Sequence, residues 1–146
     1  MWPEGAKDWP QWCEASRAPT AAEVRSALCL MPSERLVARQ WAKHGSCMVK
    51  RPAAYLEVIR ILRSGLRLPD YDRLSREEGL TAGRIRAAFA DANPDWSESA
   101  VGVKLSERGW LEELRLCYSK RFRPAPCPAA RRGAKDTAPA QIWRGL

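Results

Sequence analysis

A chain of 146 residues, 45% of them hydrophobic and seven of them tryptophan, is long enough to bury one core and too apolar for a disordered tail. Twenty-five Lys and Arg against seventeen Asp and Glu leave a formal charge of +8, which suits a polyanionic partner but specifies neither its sequence nor its chemistry. No run of about 18 apolar residues is present, so no membrane-spanning helix is expected.

Residues 1–19 carry three Trp and three Pro without a helical or strand period, and read as an ordered loop. Thr20-Ala21-Ala22-Glu23 is a capping-box pattern, in which the Thr20 hydroxyl caps the backbone and Glu23 reaches back, so a helix should run from there to about Leu30. Met31-Pro32 breaks it, and Ser33 caps a second helix running to about His44, with Gly45 as the stop. Pro52 suits the first turn of a third helix, whose Tyr55, Val58, Ile59 and Leu62 follow the helical period up to Gly65. After a looser stretch Thr81 opens a fourth helix through Ile85, Ala88 and Phe89, ended by Asn93-Pro94. The period then changes to two. Val101, Val103 and Leu105 alternate, Ser106-Glu107-Arg108-Gly109 supplies a turn, and Leu114, Leu116 and Tyr118 alternate again, which is a β-hairpin pattern. Helices first and a hairpin later give an α+β class, an antiparallel sheet packed with several helices. From residue 129 to 146 the chain reads as a loosely ordered basic tail.

Five cysteines stand at Cys13, Cys29, Cys47, Cys117 and Cys127. Cys117 and Cys127 lie ten apart across Arg123-Pro124-Ala125-Pro126, a separation a hairpin end closes, so a disulfide is expected there and with it an oxidising compartment. Met1-Trp2-Pro3-Glu4-Gly5 has neither the charged nor the apolar region of a secretory signal. The two readings conflict, and the expectation that reconciles them is a native N-terminus upstream of Met1.

His44 is the only histidine. On a helix ending near Gly45, Gln40 and His44 are i,i+4 neighbours, as are Arg39 and Lys43, so one turn gathers an imidazole, an amide and two cations. That set suits phosphodiester chemistry: an imidazole that titrates near neutrality moves a proton, and the cations balance charge on phosphorus. A lone histidine near a helix end is more often a surface or capping residue, so the wider string has to decide.

Trp41-Ala42-Lys43-His44-Gly45-Ser46-Cys47 closely resembles the second active-site segment of the ribonuclease T2 family, whose pattern is Glu-aromatic-x-Lys-His-Gly-Thr/Ser-Cys. Trp2-Pro3 resembles the end of the family's first segment, His-Gly-Leu-Trp-Pro, and Asp8-Trp9-Pro10-Gln11-Trp12-Cys13 resembles its downstream Pro-Gln-aromatic-Cys. Leu114-Arg115-Leu116-Cys117-Tyr118, Lys120 and Pro126-Cys127 resemble its late strand and C-terminal cystine, so the likeness covers nearly the whole chain.

The resemblance implies a T2-like domain over residues 1–128 that lacks the N-terminal strand or strands and is exported, to the periplasm or outside the cell, in its full form. It implies a metal-independent endonuclease with no cofactor, acting on single-stranded RNA, because the 2′-hydroxyl absent from DNA is the nucleophile and a 2′,3′-cyclic phosphate the product. By position His44 matches the general base, Lys43 the lysine that balances phosphate charge, Trp2 the tryptophan that stacks on a base, and Glu4 an acidic base-contacting residue. Arg39 stands where a histidine is frequent and retains the means to bind phosphate. Cys13–Cys47 and Cys117–Cys127 are the implied disulfides, which leaves Cys29 as a buried free thiol or a partner for something upstream.

Two departures qualify this. Met1 stands where the family usually has Leu, just after the histidine that protonates the leaving oxygen, so that general acid is not among these residues. Gln40 replaces the usual Glu; its amide can hold a phosphoryl oxygen but cannot act as a base. The chain alone is therefore expected to be weakly active or inactive. The alternatives are a catalytically silent RNA-binding T2-like module and a small basic interaction or inhibitor domain. A zinc site from Cys13, Cys29, His44 and Cys47 is disfavoured, since no Cys-x-x-Cys pair exists.

Overall fold

The computed structural model describes residues 10–144. They divide into two compact units, the first ending at Gly65 and the second beginning at Leu66.

The first unit is helical. Helix α1 (Ala21–Ala27) starts with the complete expected capping box, Thr20 accepting from the Glu23 amide and Glu23 accepting from the Thr20 amide. Ser33 caps α2 (Glu34–Gln40) by accepting from the Leu36 amide. The chain stays helical through a π-helical turn, Trp41–Gly45, and a short α3 (Ser46–Met48), until Val49 turns extended. Helix α4 (Pro52–Ser64) begins with proline in its first turn and ends at Gly65, as expected. Its Tyr55 and Leu56 bury against Ala27, Val37 and Trp41, with Val24, Met31 and Ile59 around them.

The second unit is α+β. A short helix α5 (Tyr71–Leu74), capped by Asp70, fills the stretch that had no clear pattern. Helix α6 (Ala82–Ala92) is capped by Thr81, and buried Asn93 ends it. Asn93 is saturated: Nδ2 donates to the Arg67 and Phe89 carbonyls while Oδ1 accepts from the Arg67 amide. The predicted hairpin forms from β1 (Val101–Leu105) and β2 (Leu111–Leu116), pairing Val101 with Leu116 and Val103 with Leu114, with a bulge between Lys104 and Leu105. Val103 closes a core with Leu74, Leu80, Ala82, Ile85 and Ala140, while Phe89 and Trp96 cover Val101.

The stretch read as a loosely ordered tail is built into this unit as far as Trp143. It contains α7 (Ala129–Arg132), the Ala134 amide donates to the Val103 carbonyl, and the Leu111 amide donates to the Gln141 carbonyl. The cause is Arg86, which is fully buried on α6. Its guanidinium donates to the carbonyls of Val101, Arg132 and Ala134 and to the Asp136 carboxylate. A charge is tolerated there because each of its three nitrogens finds an acceptor.

Candidate active site

The candidate site is the helical run from Arg39 to Cys47. Its inner side is fixed by Trp41, which is buried, packs on Tyr55 at 5.9 Å between ring centroids, and donates from its indole Nε1–H to the Arg17 carbonyl. Burial behind this helix also pushes the Tyr55 phenol up to about 12, so it stays neutral and apolar in character.

Gly45 is not the helix stop that its residue type suggested. Its backbone is right-handed helical, and a Cβ there would lie 2.5 Å from Trp41 Cε3 and 2.7 Å from Tyr55 Cγ. Glycine is required for close approach: it lets Tyr55 of α4 press on the turn that carries His44. With Trp41 held there, the backbone widens, and the Ser46 amide bonds to the Trp41 carbonyl five residues back. Lys43 and His44 thus sit on a wider turn than the regular helix assumed in pairing Gln40 with His44 and Arg39 with Lys43, while Arg39 and Gln40 close α2. The sequence alone did not show this, because the Tyr55 ring that packs close to Gly45 comes from another helix.

The loop before α1 is fastened to the same run. The Trp12 amide donates to the Lys43 carbonyl at 2.9 Å, Cys13 and Cys47 form the implied disulfide with 5.1 Å between Cα atoms, and Ser16 Oγ donates to the Lys50 carbonyl. Trp12 holds a left-handed backbone, φ 57°, with its side chain 58% exposed. A bulky residue rarely adopts that conformation. Its place beside Lys43 was not legible, since the bond that sets it spans more than thirty residues.

Lys43, His44 and Gln40 are half-buried and Arg39 is exposed, all on one continuous helical run. Trp2 and Glu4 lie outside the described residues. The second expected disulfide, Cys117–Cys127, is formed in the second unit. Cys29 is exposed in the turn after α1, which corrects the expectation of a buried thiol; only Ala27 of that helix is buried. With Cys13 and Cys47 bonded to each other, neither offers a thiolate, which removes the conceivable zinc quartet.

No protein-family model matches the chain. In sequence it is 26% identical to a Haemophilus influenzae (strain Rd) protein described as "Probable ribonuclease", over 87% of this chain and 44% of the relative, so it spans less than half of that protein's length. In structure it is similar to RNase NT solved in complex with 5′-AMP, at a TM-score of 0.69 and 19% identity over 92% of this chain and 75% of that one. It is also similar to the gametophytic self-incompatibility-associated SF11-RNase of Nicotiana alata, at a TM-score of 0.68 and 18% identity over 98% and 83%. A third likeness is to trichomaglin, described as a novel S-like ribonuclease, at 0.61 and 18% identity over 88% and 71%.

These comparisons define the class first: an α+β chain with the fold of the S-like and self-incompatibility ribonucleases. The resemblance to the ribonuclease T2 family stands on that fold and on the sequence match to a ribonuclease. The chain is similar in fold to these ribonucleases, as the resemblance to the ribonuclease T2 family implied.

Proposed function

We propose that the protein is an endoribonuclease of the T2 type that cleaves single-stranded RNA. The observation that carries the reading is Lys43-His44 on a π-helical turn pinned by a disulfide-tethered loop, in a chain that matches a ribonuclease in sequence. π-Turns recur at functional sites because they fix side chains where a regular helix cannot.

In the proposed step, His44 takes the proton of a ribose 2′-hydroxyl as that oxygen attacks the adjacent phosphorus. Lys43 balances the charge gathering on the phosphoryl oxygens, with the Gln40 amide and Arg39 as further donors to phosphate. The 5′-oxygen leaves with a proton from a general acid, giving a 2′,3′-cyclic phosphate that water later opens. No metal ion enters, so chelator should leave the rate unchanged. Trp2 stacks on a base, and Glu4 contacts one. The 5′-AMP held by RNase NT supports a nucleotide as the ligand class. Two disulfides support an extracytoplasmic setting, in the periplasm or outside the cell.

His44 is the chain's only histidine, so the general acid needs another source. Losing one acid–base partner costs about 10²–10⁴ in rate. We therefore expect slow or no turnover by residues 1–146 and faster turnover by a chain extended upstream through a His-Gly-Met-Trp-Pro segment. Gln40 and the single histidine favour one second reading, a catalytically silent RNA-binding module. The deciding assay follows cyclic-phosphate formation for both chains, with and without His44→Ala, alongside binding to a non-cleavable 2′-O-methyl RNA. Cleavage lost and binding kept in His44→Ala supports the enzyme. Binding without cleavage in both parent chains supports the silent module.

A further inference from the structure

The segment Cys117–Cys127 has a second chemistry that the candidate site does not use. Its disulfide joins the two ends, with 5.3 Å between Cα atoms. Inside, the Ala125 amide donates to the Cys117 carbonyl, the Ser119 amide to the Arg123 carbonyl, and the Phe122 amide to the Ser119 carbonyl. Tyr118 anchors the base by packing edge-on against Trp96, 5.1 Å between centroids. The result is a rigid, covalently closed turn.

Its tip reads Lys120-Arg121-Phe122-Arg123, and all four side chains are exposed. No Asp or Glu lies between the two cysteines, and among the described residues none of these three cations forms an ion pair. Phe122 sits at φ 56° with 43% of its surface open. Glycine is the residue such a position normally takes, and holding a phenyl ring there costs conformational energy that exposure to water does not return. Uncompensated cations and a strained, outward aromatic on a rigid tip together point to a ligand.

We propose that this turn is a docking finger for single-stranded RNA, with Lys120, Arg121 and Arg123 meeting phosphates and Phe122 stacking on a base. Basic side chains tracking the backbone beside an aromatic platform are what sequence-tolerant single-strand binding requires. An anionic membrane is the poorer occupant, because surface insertion draws on a broad apolar face and this tip offers a single ring. Only the choice of RNA over other polyanions rests on the ribonuclease reading.

The test measures binding of a labelled 2′-O-methyl RNA oligonucleotide by anisotropy at several salt concentrations. Near-UV circular dichroism and a thiol count establish that each variant keeps its fold and disulfides. The combined Lys120→Ala, Arg121→Ala, Arg123→Ala variant should bind about 10- to 100-fold more weakly at low salt, with the slope of log K against log salt reduced by about 2, the release expected from three single-strand phosphates. Phe122→Ala should weaken binding about 5- to 100-fold at an unchanged slope, and Phe122→Trp should restore it. Cleavage of a dinucleoside monophosphate should be the same in every finger variant.

An unaltered salt slope in the triple variant overturns the finger. So does parent-like binding by Phe122→Ala, or parent protein that binds anionic vesicles and not the oligonucleotide. If the parent and its upstream extension cleave nothing, the ribonuclease reading falls, and the anisotropy series still scores the finger.

Discussion

The two units hold irregular backbone in place by different means. In the first, the fastening is covalent and main-chain: Cys13–Cys47, the Trp12 amide on the Lys43 carbonyl and the Trp41 indole on the Arg17 carbonyl tie a loop to one helical run. In the second, beside a disulfide and main-chain bonds of its own, a side chain takes part, with Arg86 drawing carbonyls from β1 and from the C-terminal segment onto a single buried guanidinium. The first arrangement fixes the Lys43 and Arg17 carbonyls, whereas the second spends a cation on architecture.

The largest expected effect comes from breaking the second arrangement. Arg86→Met fills similar volume but strands the Val101, Arg132 and Ala134 carbonyls, and should cost about 3–5 kcal/mol in urea unfolding. Burial lowers the Arg86 pKa, with repulsion from Arg132 adding to it, yet the group remains a cation, so this loss should not depend on pH between neutrality and weak alkali. A cost under about 1 kcal/mol would mean that the segment after Pro128 docks without the guanidinium. Asp136→Asn should cost less, because an acceptor survives at Oδ1 and that side chain is 58% exposed.

The disulfides come next and separate the units directly. Cys13–Cys47 spans 34 residues and Cys117–Cys127 spans 10. Loop-closure entropy then predicts about 3–4 kcal/mol for the first and about 1 less for the second, each measured on the double Cys→Ser variant. Losing the first should also open the Gln11–Arg17 loop to protease. Resistance to cutting there would show that the Trp12 and Trp41 hydrogen bonds suffice alone.

Gly45→Ala asks whether the π-turn depends on close approach. The new methyl meets Trp41 and Tyr55 well inside contact distance, so a loss of about 1–3 kcal/mol is expected together with a changed Trp41 near-UV signal. A variant as stable as the parent would detach the π-turn from the Tyr55 contact.

What could be read in advance divides along the same line. Thr20 with Glu23, Ser33, Pro52 and Thr81 announced helix starts because capping is a matter of three or four residues. The hairpin was legible because alternation is local as well. The π-turn was not, since the Tyr55 ring that packs close to Gly45 comes from another helix. Nor was Arg86, whose acceptors lie 15 to 50 residues away and whose charge argues for the surface until those carbonyls are seen. In the candidate site, Lys43 and His44 were singled out through a string with a family likeness, which carries chemistry but no geometry. The wider turn and the strained Trp12 belong to geometry alone.

The smallest effect is a titration that tests how local the first unit's fastening is. Hydrogen bonds from the Arg17 guanidinium, then from the Thr20 amide, hold the Glu23 carboxyl at about 2, below its ordinary 4.5. A carboxyl that titrates lower when folded stabilises the fold above its unfolded pKa, and that contribution disappears as pH falls from about 4.5 towards 2. Glu23→Gln should therefore flatten the acid limb of the stability profile in that window, with its small loss of stability present at neutral pH and gone by about pH 2. Arg17→Ala should raise the Glu23 midpoint seen by NMR. The Trp41 indole bonds to the Arg17 main-chain carbonyl and not to its side chain, so both variants should keep the Trp41 near-UV signal. A signal that moved with Glu23 protonation would mean that the α1 cap and the His44 helix titrate as one unit, and the main-chain fastening inferred for this region would have to give way to a side-chain one.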